Sequence, residues 1–261
     1  MQNSNYRLPA FSLRFTPIWQ RNFLVWKKLA VASVLGNIAD PLITLIAFGY
    51  GLGSLLKSID GIPYIHYLAS GSICMSIMMA ASFEALYSAF SRMHVQRTWD
   101  ALLNAPLALD DVILAEMLWA ATKSIFSGVA ILAVMFMLGI GLHWHTLLVL
   151  PLLFVVGMTF ASLGLVVNAL AQGYDFFTYY FTLLLTPMIF LSGVYYPVSQ
   201  LPAWLQTISQ LLPLSAAVNL VRPLVLGGWP ASAASDIANL ALYCVGGFYV
   251  ATVLTRRRLL K

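Results

Sequence analysis

The chain has 261 residues, of which 61% are hydrophobic and 9% are charged, and its formal net charge is +5. An ordinary soluble domain is about a quarter charged, so this composition excludes a water-soluble globular protein and predicts an all-α integral membrane protein. The excess of Lys and Arg indicates attraction to anionic lipid and gives no reason to expect a nucleic-acid partner.

Six apolar stretches are long enough to cross a bilayer as helices, since a spanning helix needs about 20 apolar residues. The predicted spans are residues 29–56, 64–90, 112–138, 147–171, 176–196 and 237–254. Little sequence remains for a soluble domain, so residues 1–261 are expected to form a single transmembrane domain. With the amino terminus inside, most of the 14 Lys and Arg residues lie on the inner side. Cytoplasmic loops are rich in these residues, so both termini are expected in the cytoplasm.

Residues 11–28 precede the first span and combine aromatic with basic residues. Thr16 followed by Pro17 is typical of a helix start, with a capping hydroxyl and then a proline at the first helical position. The arginines and prolines of this region argue against a cleavable signal peptide. Aromatic and polar side chains recur on opposite sides, which predicts an amphipathic helix in the cytoplasmic interface. Whether its polar face also touches a protein partner stays open. The residues that define this helix are Trp19, Arg21, Phe23 and Trp26.

Two spans carry residues that are unusual in lipid-facing helices. The first contains Asn37 and Asp40, and a carboxylate at the bilayer centre costs roughly 2.5–3.5 kcal/mol on insertion scales. Asp40 either contacts a substrate or caps the half-helix that begins at Pro41. The fourth span carries small or polar residues that favour close helix packing; they are Gly157, Ser162, Gly164 and Asn168.

Residues 91–117 are the only long interior segment that is rich in charge, so they are expected in water at the cytoplasmic face. Thr98 can cap a short helix, residues 98–106, that Pro106 stops. Asp100 would lie in its first turn, where the helix dipole favours an anion.

The same short helix is predicted to be amphipathic. Trp99, Leu102 and Leu103 follow at i, i+3 and i+4 and form an apolar ridge. Asp110 and Asp111 are expected to cap the third span. The mixture of acidic and basic residues favours a protein partner over lipid, because carboxylates gain nothing near anionic headgroups. The ridge is therefore the predicted contact with that partner.

The outer segment, residues 197–228, is apolar although it joins two spans. It contains two helix-patterned pieces, divided by Pro213, that are each too short to span. They are expected to form a re-entrant hairpin, since irregular backbone in a membrane needs protein around it. Arg222 in the second piece either attracts an anionic headgroup or extends outward to water.

Catalytic and energy-coupling motifs are missing from the sequence. There is no GxxxxGK[ST] phosphate loop, Ser–His–Asp motif, HExxH motif or carboxylate pair. His143 and His145 lack a third ligand nearby, so no metal site is expected. No ionisable pair lies plainly at mid-membrane, as an ion-coupled carrier usually requires. The chain is therefore not expected to be an enzyme, and energy for any transport must come from another polypeptide.

The order of these elements resembles the membrane subunit of a type-2 ABC exporter over the whole chain. Two places are most specific: TWDALL with the following APL at 98–107, and LSGVYYP at 191–197 with the prolines after it. FEALYSAFSRM at 83–93 and DDVILAEMLWAATKS at 110–124 are similar to the nodulation protein J branch of that family, exporters of lipo-oligosaccharide.

The resemblance implies a homodimer in the bacterial inner membrane with two copies of a separate ABC ATPase. ATP and Mg would be bound by that ATPase, and no cofactor is expected in this chain. Residues 98–106 would be the coupling helix, with the contact residues Arg97, Thr98, Trp99, Asp100, Leu102, Leu103 and Pro106. The substrate would be an amphiphile, a short acylated sugar chain entering from the inner leaflet.

The residues that could line the substrate path are Asn37, Asp40, Tyr179, Tyr180, Tyr195, Tyr196 and Arg222. The tyrosines could stack on sugar rings, but aromatic belts at membrane interfaces explain them equally. The alternatives to a glycolipid exporter are an exporter of a drug or other lipid-like molecule, a secondary carrier or channel, and a membrane enzyme that modifies lipid. Dependence of transport on an ATPase distinguishes these alternatives.

Overall fold

The computed structural model describes residues 6–10, 12–56, 58–59 and 61–259, except for the side chains of 32, 34 and 37–41. The described chain is mainly helical. Its helices are α1 Phe15–Lys27, α2 Ala30–Gly51, α3 Tyr64–Phe83, α4 Thr98–Leu103, α5 Leu109–Met137, α6 Val149–Leu170, α7 Asp175–Tyr180, α8 Thr186–Leu191, α9 Ala203–Leu211, α10 Pro213–Val225 and α11 Ala233–Leu259. The short strands β1 Ser58–Ile59 and β2 Ile62–Pro63 pair antiparallel before α3.

Several helices are extended by tighter or wider turns. α3 continues through two π-helical turns, Glu84–Ser88 and Ser91–Val95, so that one helix runs from Tyr64 to Val95. A third π-helical turn, Phe181–Leu185, joins α7 to α8. Short 3-10 turns occupy Leu52–Ser54, Trp144–Leu148 and Val198–Gln200. The Tyr64–Val95 helix is therefore longer than its predicted span, because the π-helical turns carry it into the charged segment.

The prediction of an all-α membrane protein is confirmed. Four helices in the described residues are long and apolar enough to cross a membrane: Tyr64–Val95, Leu109–Met137, Trp144–Leu170 and Ala233–Leu259. The other two predicted spans correspond to shorter apolar helices, Leu42–Ser54 and Asp175–Leu191. Length and composition thus support four spans, or five if α9 and α10, which meet at 84°, form one broken span.

Helix α6 lies among α3, α5 and α11, and small residues let it approach its neighbours. A β-carbon on Gly157 would lie 2.5 Å from Ser124 Oγ of α5. On the other side, a β-carbon on Gly247 of α11 would lie 2.6 Å from Ser162 Oγ. Both distances are too short for a side chain, so the predicted close packing of this span is confirmed.

Two predicted helix caps are wrong. α1 begins at Phe15, and the Thr16 hydroxyl donates a hydrogen bond to Leu13 O at 2.8 Å. α4 begins at Thr98 itself after Arg97, whose φ of +50° turns the chain sharply. α4 also ends at Leu103 and not at Pro106, because the residue before a proline avoids helical dihedrals.

Candidate coupling site

α4 lies at the end of the helix bundle that also carries α1, the last turns of the Tyr64–Val95 helix and the start of α5; we call it the α4 end. Trp99 is 1% exposed, and its indole Nε1 donates a hydrogen bond to Glu116 Oε1 at 3.2 Å. Leu102 and Leu103 are half-buried against the same core. The expectation that Trp99 faces a partner is therefore wrong, because an amphipathic helix covers its apolar face with the nearest core. Contact of Leu102 and Leu103 with a partner stays a prediction.

The opposite side of α4 is open. We call it the α4 outer face, and it consists of the exposed residues Arg97, Asp100, Ala101 and Asn104. Pro106 is also exposed beyond the helix, whereas Thr98 is half-buried. A partner that approaches α4 from this side therefore contacts these polar and small side chains. The Trp99 side chain lies on the opposite side of the helix.

Behind α4 lies a buried set of four charged residues, Glu84, Arg92, Glu116 and Lys123, which we call the ion network. Arg92 Nη2 lies 2.9 Å from Glu84 Oε1, and Arg92 Nε lies 2.9 Å from Glu116 Oε1. Lys123 Nζ lies 2.6 Å from Glu84 Oε2. Two carboxylates and two cations make the network neutral, which is what burial of charge requires.

Each of the two carboxylates also accepts a hydrogen bond from an indole N–H group. Trp119 Nε1 donates to Glu84 Oε1 at 2.8 Å, as Trp99 does to Glu116. The network is therefore a continuous chain of hydrogen bonds from α4 through α5 to the Tyr64–Val95 helix. A displacement of Trp99 must either carry Glu116 with it or break a buried hydrogen bond.

The Tyr64–Val95 helix is irregular where it holds the network. Glu84 opens the first π-helical turn and Arg92 lies in the second. Asn168 of α6 donates from Nδ2 to Ala85 O at 2.8 Å, inside the first of these turns. π-helical turns in α-helices are frequent at functional sites, because a wider turn can shift the register of the helix on either side.

Sequence reasoning missed this network, since it noted only that no ionisable pair lies plainly at mid-membrane, and the network lies at the α4 end. Its partners are 24 residues apart for Arg92 and Glu116, and 39 apart for Lys123 and Glu84, so no local motif joins them. A usable signal was present: each charge sits within or beside an apolar stretch, where burial demands a partner.

α1 packs its aromatic side onto α5. Trp19 Nε1 donates to Thr122 Oγ1 at 3.1 Å, and the rings of Trp26 and Phe126 stack with centroids 4.6 Å apart. The ring of Phe23 meets Trp119 edge to face at 6.4 Å. The aromatic face of α1 is thus partly covered by protein, and its role as a lipid anchor stays a prediction.

Arg21 connects α1 to α4. Its Nη2 lies 3.4 Å from Thr98 Oγ1, and its Nη1 donates to Asn22 Oδ1 at 3.1 Å. Burial, and next the Arg92 guanidinium, lower the pKa of Arg21. Glu116 raises this pKa and so partly opposes both effects.

The segment before α1 is hydrogen-bonded to the start of α5 at the α4 end. Ala10 N donates to Asp110 Oδ2 at 2.9 Å, and Ser12 Oγ donates to Asp111 Oδ1 at 2.7 Å. Asp111 also accepts the N–H of Ala108 and so caps α5 as predicted. Asp110 instead pairs with Arg256 of α11, whose Nε lies 2.9 Å from Asp110 Oδ1. The two ends of the chain are therefore tied to the start of α5.

The proposed substrate-path residues are not brought into one place. The side chains of Asn37 and Asp40 lie outside those that the structure describes. Tyr179 is exposed and Tyr180 is buried in α7, near the α4 end. Tyr195 and Tyr196 follow α8 at the other end, where the Tyr195 ring packs against Phe48 and Phe190. No metal-binding group of three His, Cys, Asp or Glu side chains occurs among the described residues.

Arg222 of α10 points inward, so the alternative that it extends outward to water is wrong. Its Nη2 donates to Gly193 O at 2.7 Å and its Nε donates to Ser70 Oγ at 3.1 Å. The guanidinium also lies 3.6 Å above the Tyr67 ring. Arg222 therefore ties α10 to α3 and to the turn after α8, because these neutral oxygens offer it more partners than lipid does.

Replacement of Arg222 by methionine should destabilise this junction by about 1.5–3 kcal/mol, the usual loss for hydrogen bonds to a charged group. Hydrogen exchange of the turn around Gly193 should accelerate, and thermal unfolding in detergent should shift downward. Lys28→Met at an exposed position is the control and should change stability by less than about 0.5 kcal/mol. Equal effects of the two substitutions would contradict the role of Arg222 as a junction.

The chain was compared with known proteins. The sequence model of the ABC-2 type transporter family matches residues 14–226. The chain is 48% identical to nodulation protein J of Rhizobium leguminosarum bv. viciae over 97% of this chain and 98% of that protein. It is 43% identical to nodulation protein J of Rhizobium meliloti (strain 1021), over 97% of both chains. It is also 24% identical to the inner membrane transport permease YadH of Escherichia coli (strain K12), over 92% of this chain and 93% of that protein.

Proposed function

This chain belongs to the ABC-2 type transporter family and is the membrane subunit of an ABC transporter, and from this we propose that it exports an amphiphilic glycolipid. The substrate class is a lipo-oligosaccharide, moved outward from the inner leaflet or the cytoplasm. Similarity to nodulation protein J over nearly the whole length supports this choice, because lipo-oligosaccharide export is what resemblance to that branch implies.

The energy comes from a separate ABC ATPase, present in two copies on a homodimer of this chain. That ATPase binds ATP and Mg, and this chain holds no cofactor. The observation that carries the proposal is the geometry of α4: its outer face is open, and Trp99 on its inner face is hydrogen-bonded to Glu116. A helix that is exposed on one side and joined to buried charges on the other is suited to transmit a displacement.

In the membrane, α2 and the Asp175–Leu191 helix complete six spans together with the four longer helices. The termini and the α4 end lie in the cytoplasm, and the protein is a multi-pass component of the bacterial inner membrane. α9 and α10 form a re-entrant hairpin at the outer face, which their 84° angle supports. The hairpin shields the exit of the substrate path.

The mechanical step begins when the ATPase displaces α4. Trp99 transmits the displacement to Glu116 of α5, and Arg92 passes it on to the Tyr64–Val95 helix. The π-helical turns beside Glu84 and Arg92 absorb part of the shift as a change of register. Because the network is neutral and both of its carboxylates accept hydrogen bonds from within it, it moves as a unit and need not expose an unpaired charge.

Reconstitution into liposomes tests the proposal. The chain with its ATPase should move a fluorescent acylated oligosaccharide outward when ATP and Mg are added. The chain alone should not, and neither should the complex with an ATPase that lacks its phosphate-loop lysine. Transport by the chain alone along an ion gradient would establish a secondary carrier. ATP-dependent transport of a drug, but not of the oligosaccharide, would refute the substrate class only.

A further inference from the structure

A small pocket opens between α1, the Tyr64–Val95 helix and α5. Its volume is about 160 Å³, several times the share of one water molecule in the liquid, about 30 Å³. The polar side chains that matter here are Arg21 and Asn22 of α1, Glu84 and Arg92 of the Tyr64–Val95 helix, and Lys123 of α5. The pocket can thus hold a small polyatomic group.

The lining of this pocket has an excess of positive charge. Arg21, Arg92 and Lys123 line the pocket together with one carboxylate, Glu84, and Arg92 is also paired with Glu116 behind the lining, so the excess is one positive charge. Glu84 is shared by Arg92 and Lys123, whereas the hydrogen bonds of Arg21 in the described structure go to the neutral oxygens of Asn22 and Thr98. Arg21 therefore makes no ion pair within 4 Å among the described residues, although Glu116 attracts it from a longer distance.

Asn22 supplies a second, independent observation. Its side chain is 4% exposed, and its Nδ2 group has no hydrogen-bond partner in the described structure. Because Oδ1 accepts a hydrogen bond from Arg21, the amide orientation is set and the N–H groups are the free end. A buried donor left unpaired costs about 1–3 kcal/mol, so the pocket lacks an acceptor.

The rim of the pocket differs from its interior. It is formed by Val25, which is exposed, and by Trp26, and the exposed cations Lys27 and Lys28 follow at once. An apolar rim on an amphipathic helix, with cations beside it, is typical of a surface that meets lipid headgroups. Acyl chains could leave the pocket past Val25 without crossing charged protein.

We propose that this pocket binds a phosphate anion, held by Arg21 and the Nδ2 group of Asn22. The apolar rim favours the phosphate of an anionic membrane lipid as its source over free inorganic phosphate. The bound phosphate would add an acceptor where Asn22 lacks one and a negative charge beside Arg21. It would also link α1 to the ion network. Phosphate binding does not depend on the proposed export function. Only the link between α1 and the ion network would bear on that function.

Lipid retention tests the site. The full chain is purified in nanodiscs of phosphatidylcholine with increasing phosphatidylglycerol, and bound lipid is counted by native mass spectrometry alongside the thermal midpoint. Wild type should retain phosphatidylglycerol and gain thermal stability. Asn22→Asp and Arg21→Gln should each weaken retention at least tenfold. Lys28→Gln, an exposed cation on the same helix, should change it less than twofold.

A second arm separates the sources of phosphate. Inorganic phosphate is titrated into the detergent-solubilised chain and stabilisation is measured for wild type and for both pocket variants. Stabilisation by inorganic phosphate that the variants lose, without retention of phosphatidylglycerol, supports the site with free phosphate as its source. Identical behaviour of wild type, Asn22→Asp and Arg21→Gln in both arms would overturn the proposal, provided that all three melt alike in phosphatidylcholine alone.

Discussion

Replacement of Arg92 by methionine should destabilise the folded chain by about 3–5 kcal/mol, the usual cost of removing one partner of a buried ion pair. Arg92 contacts Glu84 and Glu116, which are 2% and 1% exposed. Without it, Glu116 keeps only the Trp99 indole and Glu84 depends on Lys123 and Trp119. We expect a lower unfolding midpoint in detergent, measured by thermal or denaturant unfolding.

The matched variant neutralises the network and keeps its volume. Arg92→Met combined with Glu84→Gln, Glu116→Gln and Lys123→Met should recover most of the lost stability, because no charge is then left buried and unpaired. Transport should not recover with it, since the charged link between α5 and the Tyr64–Val95 helix is gone. Stability of Arg92→Met equal to that of Lys28→Met, an exposed control, would show that the network does not hold the fold.

Charge placed on the α4 outer face should abolish coupling without unfolding the chain. In the double variant Ala101→Glu, Asn104→Glu, both positions are exposed, so stability should change by less than about 0.5 kcal/mol. Two carboxylates desolvated against a partner cost several kcal/mol, and about 1.4 kcal/mol is tenfold in affinity. We expect at least tenfold weaker binding of the ATPase, measured by co-purification and titration, with a parallel loss of transport.

Two controls separate docking from transmission. Gln172→Glu adds charge at another exposed position of the α4 end and should leave ATPase binding unchanged. Trp99→Phe keeps the buried ring but removes the N–H group that Glu116 accepts, so it should keep ATPase binding and reduce transport. Unaltered binding and transport in the double variant would exclude α4 as the docking helix.

The lipid environment and the helical class of this protein are set by composition and length alone. Nine per cent charge cannot cover a globular surface, and apolar runs of spanning length leave few alternatives to helices. The small residues of α6 also predicted close packing, because helices in a membrane approach each other closely where the side chains between them are small. The motifs at 98–107 and 191–197 were enough to predict the family to which the chain belongs.

The face that each helix presents was decided by the tertiary structure. The period of Trp99, Leu102 and Leu103 predicts a ridge but not what covers it, and the ridge packs inward onto the core. Extension to water was one alternative for Arg222, yet its guanidinium donates to the carbonyl of Gly193 and lies above the Tyr67 ring. A local pattern contains no information on neighbours from other parts of the chain, such as Tyr67, which lies 155 residues from Arg222 in the sequence.

The ion network shows most clearly which properties follow from the sequence and which follow from the tertiary structure. The sequence by itself determined that charges within or beside apolar stretches need partners, because an isolated charge in a dry interior is too costly to persist. Only the packing of α5 against the Tyr64–Val95 helix decided that Arg92 meets Glu116 and that Lys123 meets Glu84. The free-energy cost of burying a charge depends only on the residue and its surroundings, so it can be inferred from the sequence. Which oppositely charged residue lies beside it depends on how the helices pack.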